Sequence, residues 1–225
     1  MNDPGFPDKD RASLEALGYR ITGTAPINSG AFVQVFRATR KGEPCAAKVL
    51  NLTLLGKVLG EEGQKDYRLK SLPRELCTLR KLKHPHLVAI HDVYSLGSLS
   101  WVVLFLELAD GGDLLDLLKD KGTWLSEFRS RSLFMQFGDA LRYLHSIDTA
   151  TAHRDVKCEN VLLNQDRTAC KLTDFGFSRS VLDAITSRRG VPDGGSGTYC
   201  GSQAYSPPEV IKGTTPCDPK KADVW

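Results

Sequence analysis

The stretch His153-Arg154-Asp155-Val156-Lys157-Cys158-Glu159-Asn160, followed downstream by Thr173-Asp174-Phe175-Gly176, decides how this chain is read. Carboxylate and amide oxygens are the ligands a hard cation such as Mg²⁺ takes, and a carboxylate within reach of a hydroxyl can remove its proton. Asp155, Asn160 and Asp174 supply those oxygens, and Lys157 adds a positive charge among them. Between the two motifs lie two short apolar segments, Val161–Leu163 and Ala169–Leu172, which read as a β-hairpin. One motif is therefore expected on a loop before the hairpin and the other just after it. Asp-Phe-Gly alone is a frequent turn sequence, whereas the ordered pair at this spacing is far more specific.

In this order and spacing the stretch resembles the catalytic and magnesium loops of protein kinases. The resemblance implies that Asp155 accepts the proton of an incoming hydroxyl, that Asn160 and Asp174 hold Mg²⁺, and that Lys157 offsets charge on the transferred group. Lys157, two residues past the aspartate, resembles the serine/threonine branch of the family.

Composition bounds the alternatives. A chain of 225 residues with 41% apolar content can bury a sizeable core as one domain or two small lobes. The net charge of +3 is modest and its cations are scattered, so nucleic acid is not an expected partner. The six cysteines form no Cys-x-x-Cys pair, which argues for reduced intracellular thiols over a zinc site or a disulfide framework. The opening residues have no apolar signal core and no glycine at position 2, and the run Trp101–Ala109 is too short to cross a membrane. A cytoplasmic protein is expected, with a nuclear location open and no membrane partner.

Ahead of the motifs, residues 1–18 read as a lead-in with a short helix around Leu14 and Leu17. Strands are expected over Tyr19–Ala25, Phe32–Thr39 and Pro44–Leu50, with turns at Asn28-Ser29-Gly30 and Lys41-Gly42. The run Ile27–Val35 resembles the glycine-rich loop of kinases, but Asn28 and Val33 stand where the first and third glycines belong and only Gly30 remains. Lys48 ends an apolar strand, where an ammonium needs an anion. The resemblance supplies the nucleotide phosphates and Glu75, which lies on a helix whose apolar face is Leu69, Leu72, Leu76 and Leu79. Residues 51–70 are longer than the family usually allows, and Gly56, Gly60 and Gly63 suggest an inserted loop or extra turn. His84-Pro85-His86 reads as a structural turn.

By the same resemblance Trp101–Leu106 is a strand ending at the gatekeeper Leu106. The backbone of Glu107–Ala109 then meets adenine, and Ile27, Val35, Ala46, Ala109 and Leu162 wall the purine site. Asp113 reads either as the first-turn acid of a helix or as a contact for ribose and a basic substrate side chain. Ser126–Ile147 is expected as a long amphipathic helix with Phe134, Phe137, Leu141 and Leu144 in the core. Ser180–Gly197 is a long polar segment, and the residues after it resemble the end of an activation segment. In that segment Thr198 would be phosphorylated opposite Arg154 and Arg179. Asp223-Val224-Trp225 resembles the opening of the central helix of the large lobe, so the match covers about three quarters of a kinase domain.

The expected fold is therefore α+β and bilobal. An N-lobe over 19–108 holds an antiparallel sheet and one helix, and a mainly helical C-lobe over 109–225 is incomplete in its central helix. The motifs at 72–75, 157–160, 174–178 and 198–202 are most similar to testis-specific serine/threonine kinases, within the calcium/calmodulin-dependent kinase group. The expected activity is ATP- and Mg²⁺-dependent transfer of the γ-phosphoryl group to Ser or Thr of protein substrates. Asp113 and Glu159 imply a basic residue upstream of the target hydroxyl, and the oligomeric state is left open. The alternatives are a non-catalytic nucleotide-binding pseudokinase or scaffold, and a small-molecule phosphotransferase of the same fold.

Overall fold

A computed structural model describes residues 8–23, 25–30, 33–66, 76, 80–97, 100–120, 124–147, 152–153, 155–174, 205–212 and 218–225. The chain divides into two compact units, residues 1–80 with 89–108, and residues 81–88 with 109–225.

The first unit is built on an antiparallel sheet. Its strands are β1 (Tyr19–Ile21), β2 (Asn28–Ser29), β3 (Val33–Arg40), β4 (Glu43–Asn51), β5 (Ile90–Leu96) and β6 (Trp101–Leu106). They lie in the order β1-β3-β4-β6-β5, with β2 paired to β3. The β3–β4 hairpin closes through Lys41 and Gly42, both at positive φ (50° and 93°), as a two-residue turn matching strand twist requires. Strand β4 is buried on both faces, because its alternate residues serve two layers. One face packs Cys45, Ala47 and Val49 with Phe36, Ala38, Val103 and Phe105. Tyr19 stacks on Phe105 with ring centroids 3.9 Å apart, and helix α1 (Asp8–Ala16) closes this layer with Leu14. The opposite face carries Ala46 and Lys48, with Val35 and Leu104 directly beside Lys48 and Leu106 beside Ala46.

Several expectations shift here. Strand β1 ends at Ile21, and Asn28–Ser29, read as a turn, forms the short strand β2 opposite Val35 and Gln34. The insertion is a helix, α2 (Leu52–Asp66), with an extended break at Gly60 (φ 71°, ψ 169°). Asn51 caps its start, Oδ1 accepting from the backbone of Thr53 and Leu54. Beyond the break, Gln64 folds back and donates to the carbonyl of Leu52 at 2.6 Å. A Cβ at Gly56 would sit 2.3 Å from that Gln64 side chain, so the glycine that suggests a loop instead lets a folded-back helix close. The helix expected around Glu75 lies outside the described residues.

In the second unit, α3 (Leu114–Lys119) and α4 (Glu127–Ser146) precede the hairpin β7 (Val161–Leu163) and β8 (Cys170–Leu172). The short helices α5 (Pro208–Lys212) and α6 (Pro219–Ala222) follow. Ser126 caps α4, Oγ accepting from the backbone of Arg129. The buried stripe of α4 is Leu133, Ala140, Leu141 and Leu144, not the stripe expected from Phe134 and Phe137. Phe134 is 64% exposed and meets Phe137 edge-on, because the face turned to β8 is set by Leu133, whose carbonyl accepts from the Cys170 thiol. Asp223 and Val224 form a turn after α6.

Phe105 has no exposed surface and carries the stacked Tyr19. Phe105→Ala is expected to lower unfolding stability by about 3–5 kcal/mol, read as a fall in the urea midpoint with little change in slope.

Candidate functional site

The loop from Ala152 to Asn160 is fixed by a buried imidazole. His153 is 1% exposed; its Nε2–H donates to the Thr173 carbonyl at 2.8 Å, and its Nδ1 accepts from the backbone of Asp155 at 3.3 Å. With both ring nitrogens so used, the ring is neutral, and burial holds its pKa below the ordinary histidine value against the pull of Asp223, Asp155 and Asp174. The backbone N–H of His153 donates to the Asp223 carboxylate at 2.7 Å, and His145 Nε2 meets the same oxygen at 2.8 Å. Asp223 is thus a buried acid that ties the C-terminal end of α4 to the loop.

Beyond the imidazole the chain makes a 3₁₀ turn, Cys158–Asn160, which turns the Asn160 side chain inward. Its Nδ2 donates to the Asp155 carbonyl at 2.7 Å and to Asp155 Oδ2 at 3.0 Å. Lys157 Nζ lies 2.9 Å from the same carboxylate oxygen. Asp155 Oδ2 is therefore held by two donors, and among the described residues no contact engages Oδ1. The Asn160 carbonyl accepts from the backbone of Thr173 at 2.9 Å, which brings the next residue, Asp174, beside the loop. Asp174 stands at φ 63°, a left-handed conformation that costs a non-glycine residue of order 1–3 kcal/mol and is best tolerated by Asp and Asn.

The segment after Ala109 joins this hairpin. Gly111 N–H donates to the Leu163 carbonyl, Leu163 N–H donates to the Gly112 carbonyl, and Asp113 bridges to Leu162. Gly111 is obligatory, since a Cβ there would lie 2.0 Å from the Asn164 carbonyl oxygen. Asp113 proves to be the N-cap of α3 in a reciprocal capping box with Asp116, its Oδ1 accepting from the Asp116 backbone at 2.7 Å. Arg167, at φ 57°, folds its guanidinium over this segment, donating from Nε to the Gly111 carbonyl and from Nη1 to Asp120.

In the first unit, Lys48 is 5% exposed on the face shared with Val35 and Ala46. Ile27 donates its N–H to the Val35 carbonyl but leaves its side chain 51% exposed. The turn at Gly30 closes with Gly30 N–H on the Val33 carbonyl at 2.7 Å. Asn28 and Val33, which replace expected glycines, lie in paired strands at ordinary backbone angles, so neither position needs a glycine for its conformation here. Glu107 uses its N–H on the Ala89 carbonyl and accepts the Ala89 N–H through Oε2. Among the described residues, Glu159 Oε2 is shut off from solvent with no hydrogen-bond partner. Glu75, Arg154, Arg179 and Thr198 lie outside the described residues.

A family model described as the protein kinase domain matches residues 23–225. The chain belongs to the protein kinase family. This kinase is 37% identical over 212 residues to testis-specific serine/threonine-protein kinase 3 of Mus musculus, a match covering 94% of this chain and 71% of that one. It is 39% identical over 216 residues to testis-specific serine/threonine-protein kinase 1 of Homo sapiens, covering 96% and 54%. A plant relative, CBL-interacting protein kinase 4 of Oryza sativa subsp. japonica, is 37% identical over 202 residues, covering 88% and 40%.

The kinase family uses ATP and Mg²⁺, and the donor set here is tested against the metal by its own hydrogen bonds. The Asn160 amide nitrogen is committed to Asp155, which leaves the amide oxygen as an acceptor near the Asp174 loop. No group of three or more His, Cys, Asp or Glu that could hold a metal occurs among the described residues. One amide and one carboxylate are nonetheless what Mg²⁺ takes from a protein when phosphate oxygens and water complete its shell. The donors fit. Sequence reasoning missed Asp223, Gly111 and Arg167, whose partners lie far away along the chain.

Because His153 is held neutral, the unfolded chain binds its proton more readily, so stability from this group is present above about pH 6.5 and is lost as the pH falls. The urea midpoint is expected to drop between pH 7.5 and pH 5.5, by up to ~1.4 kcal/mol per unit from this group, and the drop shrinks in His153→Gln.

Proposed function

We propose that this kinase transfers the γ-phosphoryl group of ATP to serine or threonine hydroxyls of protein substrates, with Asp155 as the base. The supporting observation is the bonded cluster of Asp155, Lys157 and Asn160. It binds one oxygen of the Asp155 carboxylate through two donors and leaves Oδ1 to receive a proton. In this reading Oδ1 takes the hydroxyl proton as the substrate oxygen forms its bond to phosphorus and the bond to the ADP oxygen breaks. Lys157 stays on Oδ2 and offsets the negative charge of the transferred group. Asn160 Oδ1 and Asp174 would hold Mg²⁺, which would supply charge neutralisation at the phosphates.

In the first unit Lys48 serves the α- and β-phosphates and Glu75 is its partner. Ile27, Gly30, Val35, Ala46, Ala109 and Leu162 cover the nucleotide, and the backbone of Glu107 and Ala109 meets adenine. Asp113 keeps its second carboxylate oxygen for the ribose while Oδ1 caps α3. Glu159, with Asp113, is the acid that this reading assigns to a basic residue upstream of the target hydroxyl. Phosphorylation of Thr198 opposite Arg154 and Arg179 is the regulatory step of this reading, and a cytoplasmic location accompanies it. The serine/threonine specificity agrees with Lys157 and with the names of the relatives.

Asp155→Asn is expected to lower phosphate transfer to a basic protein substrate by about 10²–10⁴-fold while the ADP-induced rise in melting temperature is kept. An Asp155→Asn protein with wild-type transfer would remove Asp155 from the role of base.

A further inference from the structure

We infer that Arg167 is a positioning residue for nucleotide binding, clamping the segment after Ala109 to the β7–β8 hairpin. The inference rests on the nucleotide reading of Leu162 and Asp113 given above. Its basis is the way one guanidinium brackets a single segment at both ends. Nε donates to the Gly111 carbonyl at 2.9 Å, at the start of residues 111–120, and Nη1 is bonded to Asp120, which terminates α3. Inside that bracket the backbone is paired to β7 through Gly111, Gly112 and Asp113. The bracket therefore sets the spacing between Asp113, assigned to the ribose, and Leu162, assigned with Ala109 to the purine.

The turn that carries Arg167 is built for this reach. Asn164 Oδ1 accepts from the backbone of Thr168 and Ala169, and Asp166 Oδ1 accepts from Thr168, which leaves residue 167 at positive φ with its side chain folded back. Arg129 on α4 donates to the Arg167 carbonyl at 3.1 Å and steadies the turn from behind. An arginine is not required by that backbone, since a left-handed position favours glycine. Its presence there is explained by the two contacts its side chain makes.

This gives a substitution that removes the clamp without straining the fold. Arg167→Gly relieves the positive φ and deletes both guanidinium bonds, so its melting temperature without nucleotide is expected to stay close to wild type. The KM for ATP should rise about tenfold with kcat within about twofold, the pattern of lost uniform binding, and the ADP-induced thermal shift should fall in parallel. Arg167→Lys, which keeps the charge but lacks the fork, should fall between the two. Thr168→Ala removes only the hydroxyl bond to Asp166 and keeps the backbone bonds of the turn and both guanidinium contacts, so it should leave the KM unchanged. If Arg167→Gly binds ADP and ATP as wild type does, or if Thr168→Ala raises the KM equally, the inference is overturned and the kinase reading stands. If the wild-type chain gives no shift with Mg²⁺ and ADP, the nucleotide reading fails and the inference fails with it.

Discussion

The site depends on a buried histidine whose pKa is held low by desolvation. His153 joins the two motifs because one ring nitrogen donates to the carbonyl before Asp174 while the other accepts from the backbone of Asp155. The bond at Nδ1 needs the neutral ring with its proton on Nε2, and burial favours that state by making the cation expensive. A buried carboxylate, Asp223, secures the same residue from the backbone side. Among its described residues the loop is thus a set of interlocked polar groups, with Glu159 Oε2 left without a hydrogen-bond partner. Such networks specify one geometry because a partly satisfied alternative is costly.

The two units solve different problems. The first must hold an ammonium inside an apolar layer, and it does so by burying β4 on both faces, with aromatic packing behind and Lys48 in front. The second must keep loops in place with short elements, and it relies on backbone pairing, caps and one arginine. Kinase chemistry needs both, a rigid cation on a strand and oxygens on constrained loops.

Much of this was legible from sequence because the signals were local. The hairpin at 161–172 followed from two apolar runs, and α4 followed from its amphipathic pattern. What failed was whatever depended on distant partners. Gly60 does interrupt the helix at 52–66, whereas Gly56 lies within it, and nothing nearby in sequence announces that Gln64 returns to fill the space over Gly56. Of the stripe expected on α4, Leu141 and Leu144 are buried and Phe134 is exposed, with Leu133 and Ala140 completing the buried face. Among the site residues, Asp155, Lys157, Asn160 and Asp174 were readable as a motif, whereas Asp223 meets the loop from 70 positions away.

The orientation of the Asn160 amide carries a consequence for electrostatics. Its nitrogen lies 3.0 Å from a carboxylate oxygen of Asp155, a distance at which two acids could not both be ionised at neutral pH. An aspartate in its place would trap a proton between the pair and leave the neighbouring carboxylate partly unable to serve as a base. By being an amide, residue 160 donates to Asp155 without adding an anion beside it.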